Sequence, residues 1–374
     1  MNSEQYAYEI KSKFEKINQE VQKPNILLVG GTGVGKSSLI NLVFGEELVK
    51  SGIGAPITQK IERISNDKVD VNIFDSAGYE LENEETFYRE TIGYVEKCSS
   101  LSFENQIHLI WHLVDASSNR VLEYDLKLNE KLKKLSIPSC TIYTKCDGID
   151  EASVDEMIKV FNPSESFENC FTTSEPPFFI TTQKDLVVEE SNLDYNKVVK
   201  WSIGQLPEVL KEGFIRAQKS DLESKRVLAN TLILRYSTGA AAIGVSPIPF
   251  SDAPLLLGAQ TAMFTHILKT YGLNNQEVLT LVKGASSSLI ISNVGRSLAG
   301  NILKLIPGVG TVAGGVINAG VASAITYAIG KALSMVCEDM CLCALKGDKS
   351  KYEDILNNFS VIFSIAFKSV YNKK

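Results

Sequence analysis

No two cysteines stand at C-x-x-C spacing, and the seven present are scattered and odd in number. That argues against a disulfide framework or a zinc ribbon. Cys337, Cys341 and Cys343 cluster, but in an apolar helical run where cysteine serves as a small core residue. Histidine is scarce: His108, His112 and His266 show no metal-ligand spacing, and the first two sit in a strand-like run as packed core groups. A basic excess is missing too. Lys and Arg total 38 against 44 Asp and Glu, a net charge of −6, with no basic, aromatic-rich patch. Both facts count against a nucleic-acid binder led by phosphate neutralisation. The first residues, Met1-Asn-Ser-Glu-Gln-Tyr6, are polar and charged and contain no secretory h-region, so a reducing, cytosolic compartment is expected. No simple repeat or low-complexity tract stands out.

What is present begins with length. At 374 residues the chain suggests two or three domains. Residues 1–22 place Tyr6, Ile10, Phe14, Ile17 and Val21 at helical spacing with charges between them. This is an amphipathic helix that must lie on something, and Pro24 ends it. From Asn25 strands and helices alternate. Strands are expected at 25–30, 60–65, 69–75, 106–116, 139–145 and 177–181, with helices at 36–44, 84–97, 121–135 and 152–161. Several of the strands are continuous apolar runs, the mark of a sheet covered on both faces. The fold class is therefore α/β, with a mostly parallel sheet and helices on both faces. Near residue 193 the chain turns helical, then poor in charge and rich in Gly, Ala and Ser. The expected organisation is an N-terminal helix (1–22) docked on an all-α C-terminal domain (193–374), with the α/β domain at 23–192.

One stretch organises the α/β part. Gly30, Gly35, Lys36 and Ser37 fit G-x-x-x-x-G-K-[ST], between an apolar strand and a helix-compatible run, as that phosphate-binding motif requires. Glycines let successive backbone N–H groups curl inward around phosphate oxygens. The next helix turns unpaired N–H groups and its positive end to the same anion. Gly31, Thr32, Gly33, Val34, Gly35, Lys36, Ser37 and Ser38 thus become nucleotide contacts, and the Ser37 hydroxyl a ligand for Mg²⁺.

Later loops choose the base. Asp75-Ser-Ala-Gly78 reads as D-x-x-G, whose Asp holds Mg²⁺ through water and whose Gly amide senses the γ-phosphate. Thr144-Lys145-Cys146-Asp147 fits [NT]-K-x-D. A carboxylate there accepts two hydrogen bonds from guanine that adenine cannot supply, and unpaired buried polar groups then reject the wrong base. Within Gly54-Ala-Pro56-Ile-Thr58-Gln59, Thr58 is the candidate third Mg²⁺ ligand, the alternative being a loop Thr that caps the next strand. Two segments compete for the last guanine loop: Thr181-Thr182-Gln183, with Thr182 the contact, and Thr172-Thr173-Ser174. Lys36, Thr58 and Gly78 are the residues assigned to hydrolysis; Ser37, Thr58 and Asp75 are assigned to the metal.

These residues carry a resemblance. Gly30–Ser38, Thr58, Asp75–Gly78 and Thr144–Asp147 are similar to the first four motifs of the translation-factor-related GTPases, nearest in form to Era-like and immunity-related GTPases and to septins. Ser246-Pro-Ile-Pro-Phe-Ser-Asp252, Gln260, Tyr271-Gly272 and Ile306-Pro-Gly-Val-Gly310 resemble the hydrophobic C-terminal domain of bacterial YcjF-like GTPases. The resemblance implies a Mg²⁺-dependent GTPase that binds GTP and GDP. It also implies partners that include a second copy through the GTPase domain, or a membrane surface. Two departures stand out. Tyr79 follows D-x-x-G, where Ras-like enzymes carry the Gln that orients water. Gly33 replaces the Asn of potassium-activated relatives. Both point to slow intrinsic turnover.

The segment Leu305–Gly330 contains no charged residue and six glycines. Three readings of it stand: a buried helical hairpin, a conditionally exposed surface for lipid or self-association, and a membrane span, which its length permits.

Overall fold

The computed structural model describes residues 20–45, 48, 53–56, 61–65, 69–78, 84–117, 123–161, 175–181, 194–243, 253–273 and 319–345. Shorter pieces are described at 349–351, 354–355, 361–362 and 365–366. Residues 1–19 of the expected N-terminal helix lie outside these residues. The chain divides into two compact units, with the break between Asp221 and Leu222.

Among the described residues the first unit is built on seven strands: β1 (Asn25–Gly30), β2 (Ile53–Pro56), β3 (Ile61–Ser65), β4 (Asn72–Ser76), β5 (Leu109–Asp115), β6 (Ser139–Thr144) and β7 (Phe178–Phe179). Their order in the sheet is β2-β3-β4-β1-β5-β6-β7. From β4 to β7 all neighbours run parallel, while β2–β3 and β3–β4 are antiparallel. The short link from Ser65 to Asn72 explains the reversal, since a parallel return needs a crossover of a dozen residues or more. The antiparallel strand β2 falls in a stretch where no strand is expected from the sequence. Its composition, Ile-Gly-Ala-Pro, lacks a strand pattern, and Pro suits the sheet edge that β2 occupies.

Alternate residues of each central strand enter opposite cores. Ile26, Leu28, Leu109, Trp111 and Leu113 pack on one face against α1 (Lys36–Phe44). Leu27, Val29 and Ile110 pack on the other, against α2 (Glu84–Ser99) and α3 (Glu123–Lys133). Val114, Tyr143 and Phe179 meet α4 (Glu151–Phe161). His108 is buried with both nitrogens engaged: Nδ1 accepts from Asn25 N–H at 2.9 Å, and Nε2 lies 3.0 Å from the Phe103 carbonyl. His112 is buried 3.6 Å from the Asp125 carboxylate.

The α/β unit runs past the boundary expected at 192. Helices α5 (Asn196–Gln205) and α6 (Glu208–Ala217) put Val198, Trp201, Leu210 and Phe214 into the same core as Trp111 and Phe44. The Phe214 ring stands edge-on to Phe44 at 5.8 Å, and Phe44 stacks on Trp111 at 5.9 Å. Burying an aromatic or large aliphatic side chain contributes about 1.5–3 kcal/mol. These two helices therefore belong energetically to the sheet, although in sequence they run on into the helical C-terminal part.

The second unit contains α7 (Leu222–Ile243), α8 (Ala253–Thr270) and α9 (Ala319–Leu345). Ile233, Met263, Ile267, Ala332, Leu333 and Val336 form its buried interior. Gly330 is a close approach: a Cβ there would lie 2.7 Å from Ile233 Cγ1. Lys225 is fully buried and donates to the Thr270 carbonyl at the end of α8, 2.8 Å away. The Tyr271 and Ser334 hydroxyls are 2.8 Å apart. Of the charge-free stretch 305–330, residues 305–318 lie outside the described residues, and the remainder opens α9. Among the described residues no helix is long and apolar enough to cross a membrane.

Candidate nucleotide site

The carboxyl ends of β1, β4, β5 and β6 meet at one rim, where open α/β sheets bind their ligands. The loop after β1 turns through Gly33 (φ 73°) and Gly35 (φ 102°) into α1. Lys36, buried in the first turn, donates from Nζ to the Gly30 carbonyl at 3.0 Å and the Gly31 carbonyl at 3.2 Å. Its ammonium is thus held against the loop. Burial lowers the Lys36 pKa, and the nearby Asp75 carboxylate opposes that shift. Thr32, Ser37 and Ser38 are exposed on the same loop and first turn, and Val34 packs inward.

Asp75, near the end of β4, faces Glu62 of β3 across the antiparallel pair. Its pKa is raised to about 6: burial pushes it up, Lys36 pulls it down, and Glu62 adds to the rise. Its Oδ1 is buried with no hydrogen-bond partner among the described residues. An orphaned buried carboxylate oxygen is costly. It is also what a hydrated divalent cation would satisfy, so the donor set fits Mg²⁺. Three residues on, Gly78 lies against the phosphate loop. A Cβ at Gly78 would sit 2.3 Å from Thr32 Oγ1 and 2.5 Å from its backbone N. The two loops touch in a way that excludes any side chain at 78.

Thr144, fully buried, joins the loops after β1 and β6. Its hydroxyl donates to the Val34 carbonyl at 2.6 Å, with the Val114 carbonyl 3.2 Å away. Lys145 comes next, in the left-handed region (φ 58°), and a 3₁₀ turn runs from Cys146 to Gly148. Burial pushes the Cys146 thiol to about 12, so it is a packed group. Thr181 reaches Asp147, its Oγ1 donating to Oδ1 at 2.9 Å, and Cys146 N–H donates to the Ile180 carbonyl at 3.2 Å.

Gly31–Ser38, Asp75, Gly78, Thr144, Lys145 and Asp147 thus come to one rim. Thr58, Tyr79, Thr182 and the rival segment 172–174 lie outside the described residues. Two groups at the rim are not among the contacts expected from the sequence. Thr181 stands one position before the expected Thr182. Asp115 closes β5 and bonds Lys145; its signal is an acidic residue ending an apolar parallel strand, at the ligand edge of the sheet.

Residues 25–145 match the family described as 50S ribosome-binding GTPase, and residues 211–359 match a domain of unknown function, DUF697. Residues 25–145 are a P-loop GTPase domain. The chain is a GTP-hydrolysing enzyme that takes GTP and GDP with Mg²⁺. The GTPase domain is similar to a probable GTP-binding protein EngB of Flavobacterium johnsoniae, 25% identical over 176 residues, covering 46% of this chain and 80% of the relative. The EngB of Christiangramia forsetii is 27% identical over 185 residues, 48% of this chain and 88% of the relative. Magnetosome membrane protein 22 of Magnetospirillum gryphiswaldense is 28% identical over 113 residues, 30% of this chain and 58% of that protein. Among solved structures, a probable GTP-binding protein engB aligns over 50% of this chain and 99% of that one, with 20% identity and a TM-score of 0.33. An Aquifex aeolicus Era variant bound to GDP and AlF₄⁻ aligns over 59% and 68%, with 16% identity and a TM-score of 0.30.

Proposed function

We propose that this GTPase is a nucleotide-dependent switch of the Era-like class, with slow intrinsic turnover, whose GTP state alters how a YcjF-like helical unit meets its partner. In this reading Gly31–Ser38 cradle the phosphates, Asp147 and Thr182 read the guanine, and Gly78 senses the γ-phosphate. Ser37, Thr58 and Asp75 would hold Mg²⁺, which when bound neutralises charge on the phosphates. The N-terminal segment 1–22 docks on the helical unit.

The observation that carries the reading is the Thr144 hydroxyl, 2.6 Å from the Val34 carbonyl. That bond sets the base-reading loop and the phosphate loop a fixed distance apart, as recognition of one ligand at both ends requires. A second observation supports coupling. Lys219 N–H donates to the Val43 carbonyl at 2.8 Å, in the last turn of α1. The buried Gln218 side chain locks the adjoining turn: it accepts from Ser220 N–H (2.9 Å) and Asp221 N–H (2.8 Å) and donates to the Asp221 carbonyl (2.9 Å). The chain leaving for the helical unit is therefore pinned to the far end of the helix that begins at Lys36.

Calorimetry tests the site. GTP and GDP should bind and ATP should not, Lys36→Ala should abolish binding, and Asp147→Asn should weaken GTP selectively. Unchanged GTP affinity in both variants would remove the assignment. Hydrogen exchange of residues 222–345 with GDP, compared with a non-hydrolysable GTP analogue, tests the switch; identical protection would leave a GTPase without one. A second reading, nucleotide-driven self-assembly at a membrane surface, draws on the likeness to a magnetosome membrane protein. Liposome flotation and light scattering that ignore the nucleotide would dismiss it.

A further inference from the structure

Asp115 lies outside every loop assigned to the nucleotide, yet both of its carboxylate oxygens are engaged at the guanine end of the site. Oδ2 accepts from Lys145 Nζ at 2.5 Å. Oδ1 accepts from the Ser117 N–H at 2.9 Å and the Ser117 hydroxyl at 2.6 Å. Burial works against the charged form of this carboxylate, but the bonds from Lys145 and Ser117 outweigh it and hold the pKa below the ordinary value. The backbone sets up the encounter: Asp115 is in register with Thr144 across β5 and β6, and Ala116 N–H donates to the Thr144 carbonyl at 3.0 Å.

The pair is partly exposed on each side, 41% for Lys145 and 33% for Asp115. Charge attraction in so wet a place contributes little to folding by itself, so its significance is geometric. Among the described residues Lys145 is the one non-glycine residue with positive φ. A lysine has no intrinsic preference for that region, and such strain persists only where surrounding contacts over-determine it. The left-handed turn lets the chain leave β6 and enter the 3₁₀ segment at once. Asp147 then stands where Thr181 Oγ1 bonds its Oδ1. Thr144 is fixed on one side of Lys145 and Asp147 on the other. Cys146 is held through its N–H, which donates to the Ile180 carbonyl at 3.2 Å, and the side chain of Lys145 is a further handle on the turn, which Asp115 holds.

We propose that Asp115 is a positioning residue for guanine recognition: by fixing Lys145 it keeps the Thr144–Asp147 loop in the conformation that presents Asp147 to the base. This rests on the reading of Asp147 as the base-reading carboxylate. The test is GDP affinity, by calorimetry on the full chain with Mg²⁺, for wild type, Asp115→Ala, Lys145→Met, the double variant and Asp147→Asn. Asp115→Ala should weaken GDP about tenfold, and KM for GTP should rise while kcat at saturating GTP holds. In the Lys145→Met background the same substitution should cost nothing further, because its effect runs through the ammonium. Asp115→Asn keeps an acceptor for Ser117 but turns an N–H₂ toward the Lys145 ammonium, so it should lose about as much as Asp115→Ala, and it replaces the Ala variant if that one fails to fold.

Wild-type affinity in both Asp115 variants would overturn the proposal. So would a tenfold loss that recurs undiminished in the Lys145→Met background, since that is the signature of a general structural defect. If Asp147→Asn binds GDP like wild type, the base-reading assignment itself falls, and this proposal with it. That outcome differs from the others because it leaves the Asp115 cycle unexplained by any base contact.

Discussion

Asp75 should be a liability to the nucleotide-free fold. Its carboxyl is half-buried beside Lys36 and opposite Glu62, its buried Oδ1 has no partner among the described residues, and its pKa stands at about 6 instead of 3.8. The pull of Lys36 is already contained in that net value. A carboxyl whose pKa rises on folding favours the folded state below the unfolded pKa and loses that advantage as pH climbs through the folded one. The slope lies between about pH 4 and pH 6, and above that window the penalty is constant. At pH 8 it amounts to about 3 kcal/mol, and at pH 5 to roughly half of that. Asp75→Asn, which cannot ionise, escapes it. For a unit of this size 1 kcal/mol moves Tm by roughly 2–4 °C. The variant, stripped of nucleotide and Mg²⁺, should therefore melt roughly 6–12 °C above wild type at pH 8 and about half as far above it at pH 5. Tryptophan fluorescence suits the assay, because the two tryptophans, Trp111 and Trp201, both belong to the α/β unit. With GTP and Mg²⁺ added the order should reverse, since on the proposed reading Asp75 is one of the groups that hold the metal. A variant that melts at or below wild type at pH 8, or a gap that does not shrink at pH 5, would refute the reasoning.

Thr144→Val removes the donor to the Val34 and Val114 carbonyls and leaves buried acceptors unpaired, which costs about 1–3 kcal/mol; GDP affinity should fall about 10–100-fold by calorimetry, with Thr144→Ser close to wild type. Gly78→Ala drives a Cβ into the Thr32 backbone. Phosphate release should drop at least about tenfold, a barrier rise of roughly 1.4 kcal/mol, while GDP affinity changes little; an undiminished rate would show that the two loops need not approach. Gln218→Ala breaks three hydrogen bonds in a buried turn and should cost about 2 kcal/mol in urea unfolding followed by tryptophan fluorescence. The same change should flatten any difference in exchange of residues 222–345 between GDP and GTP-analogue states.

Much of the site was legible in the chain because its chemistry is local. A glycine-rich turn between a strand and a helix, an Asp ending one strand and a Thr-Lys-x-Asp ending another, are short-range patterns. Parallel strands bring their carboxyl ends to one rim whatever the loops contain. The placement of Gly31–Ser38, Asp75 and Thr144–Asp147 follows from that rule. The edge strand β2 did not show itself, because an Ile-Gly-Ala-Pro segment has no periodicity and pairs only through a neighbour that supplies the register.

Other features are decided between residues far apart in sequence. Trp201 and Phe214 look like the start of a helical domain until they are seen packed in the core with Trp111. Burial, not composition, moves the boundary to Asp221. The left-handed Lys145 and its bond to Asp115 join positions 30 residues apart, and nothing in either local sequence announces the pair. The same holds for Gly78 against Thr32 and for Lys219 on Val43. By itself the sequence determined that the loops carrying Gly31–Ser38, Asp75–Gly78 and Thr144–Asp147 share one edge of an α/β sheet, because backbone geometry and side-chain type suffice for that. Only the tertiary structure decided which helices complete that unit and which side chains brace its loops, because close packing and long-range hydrogen bonds exist only once distant segments meet.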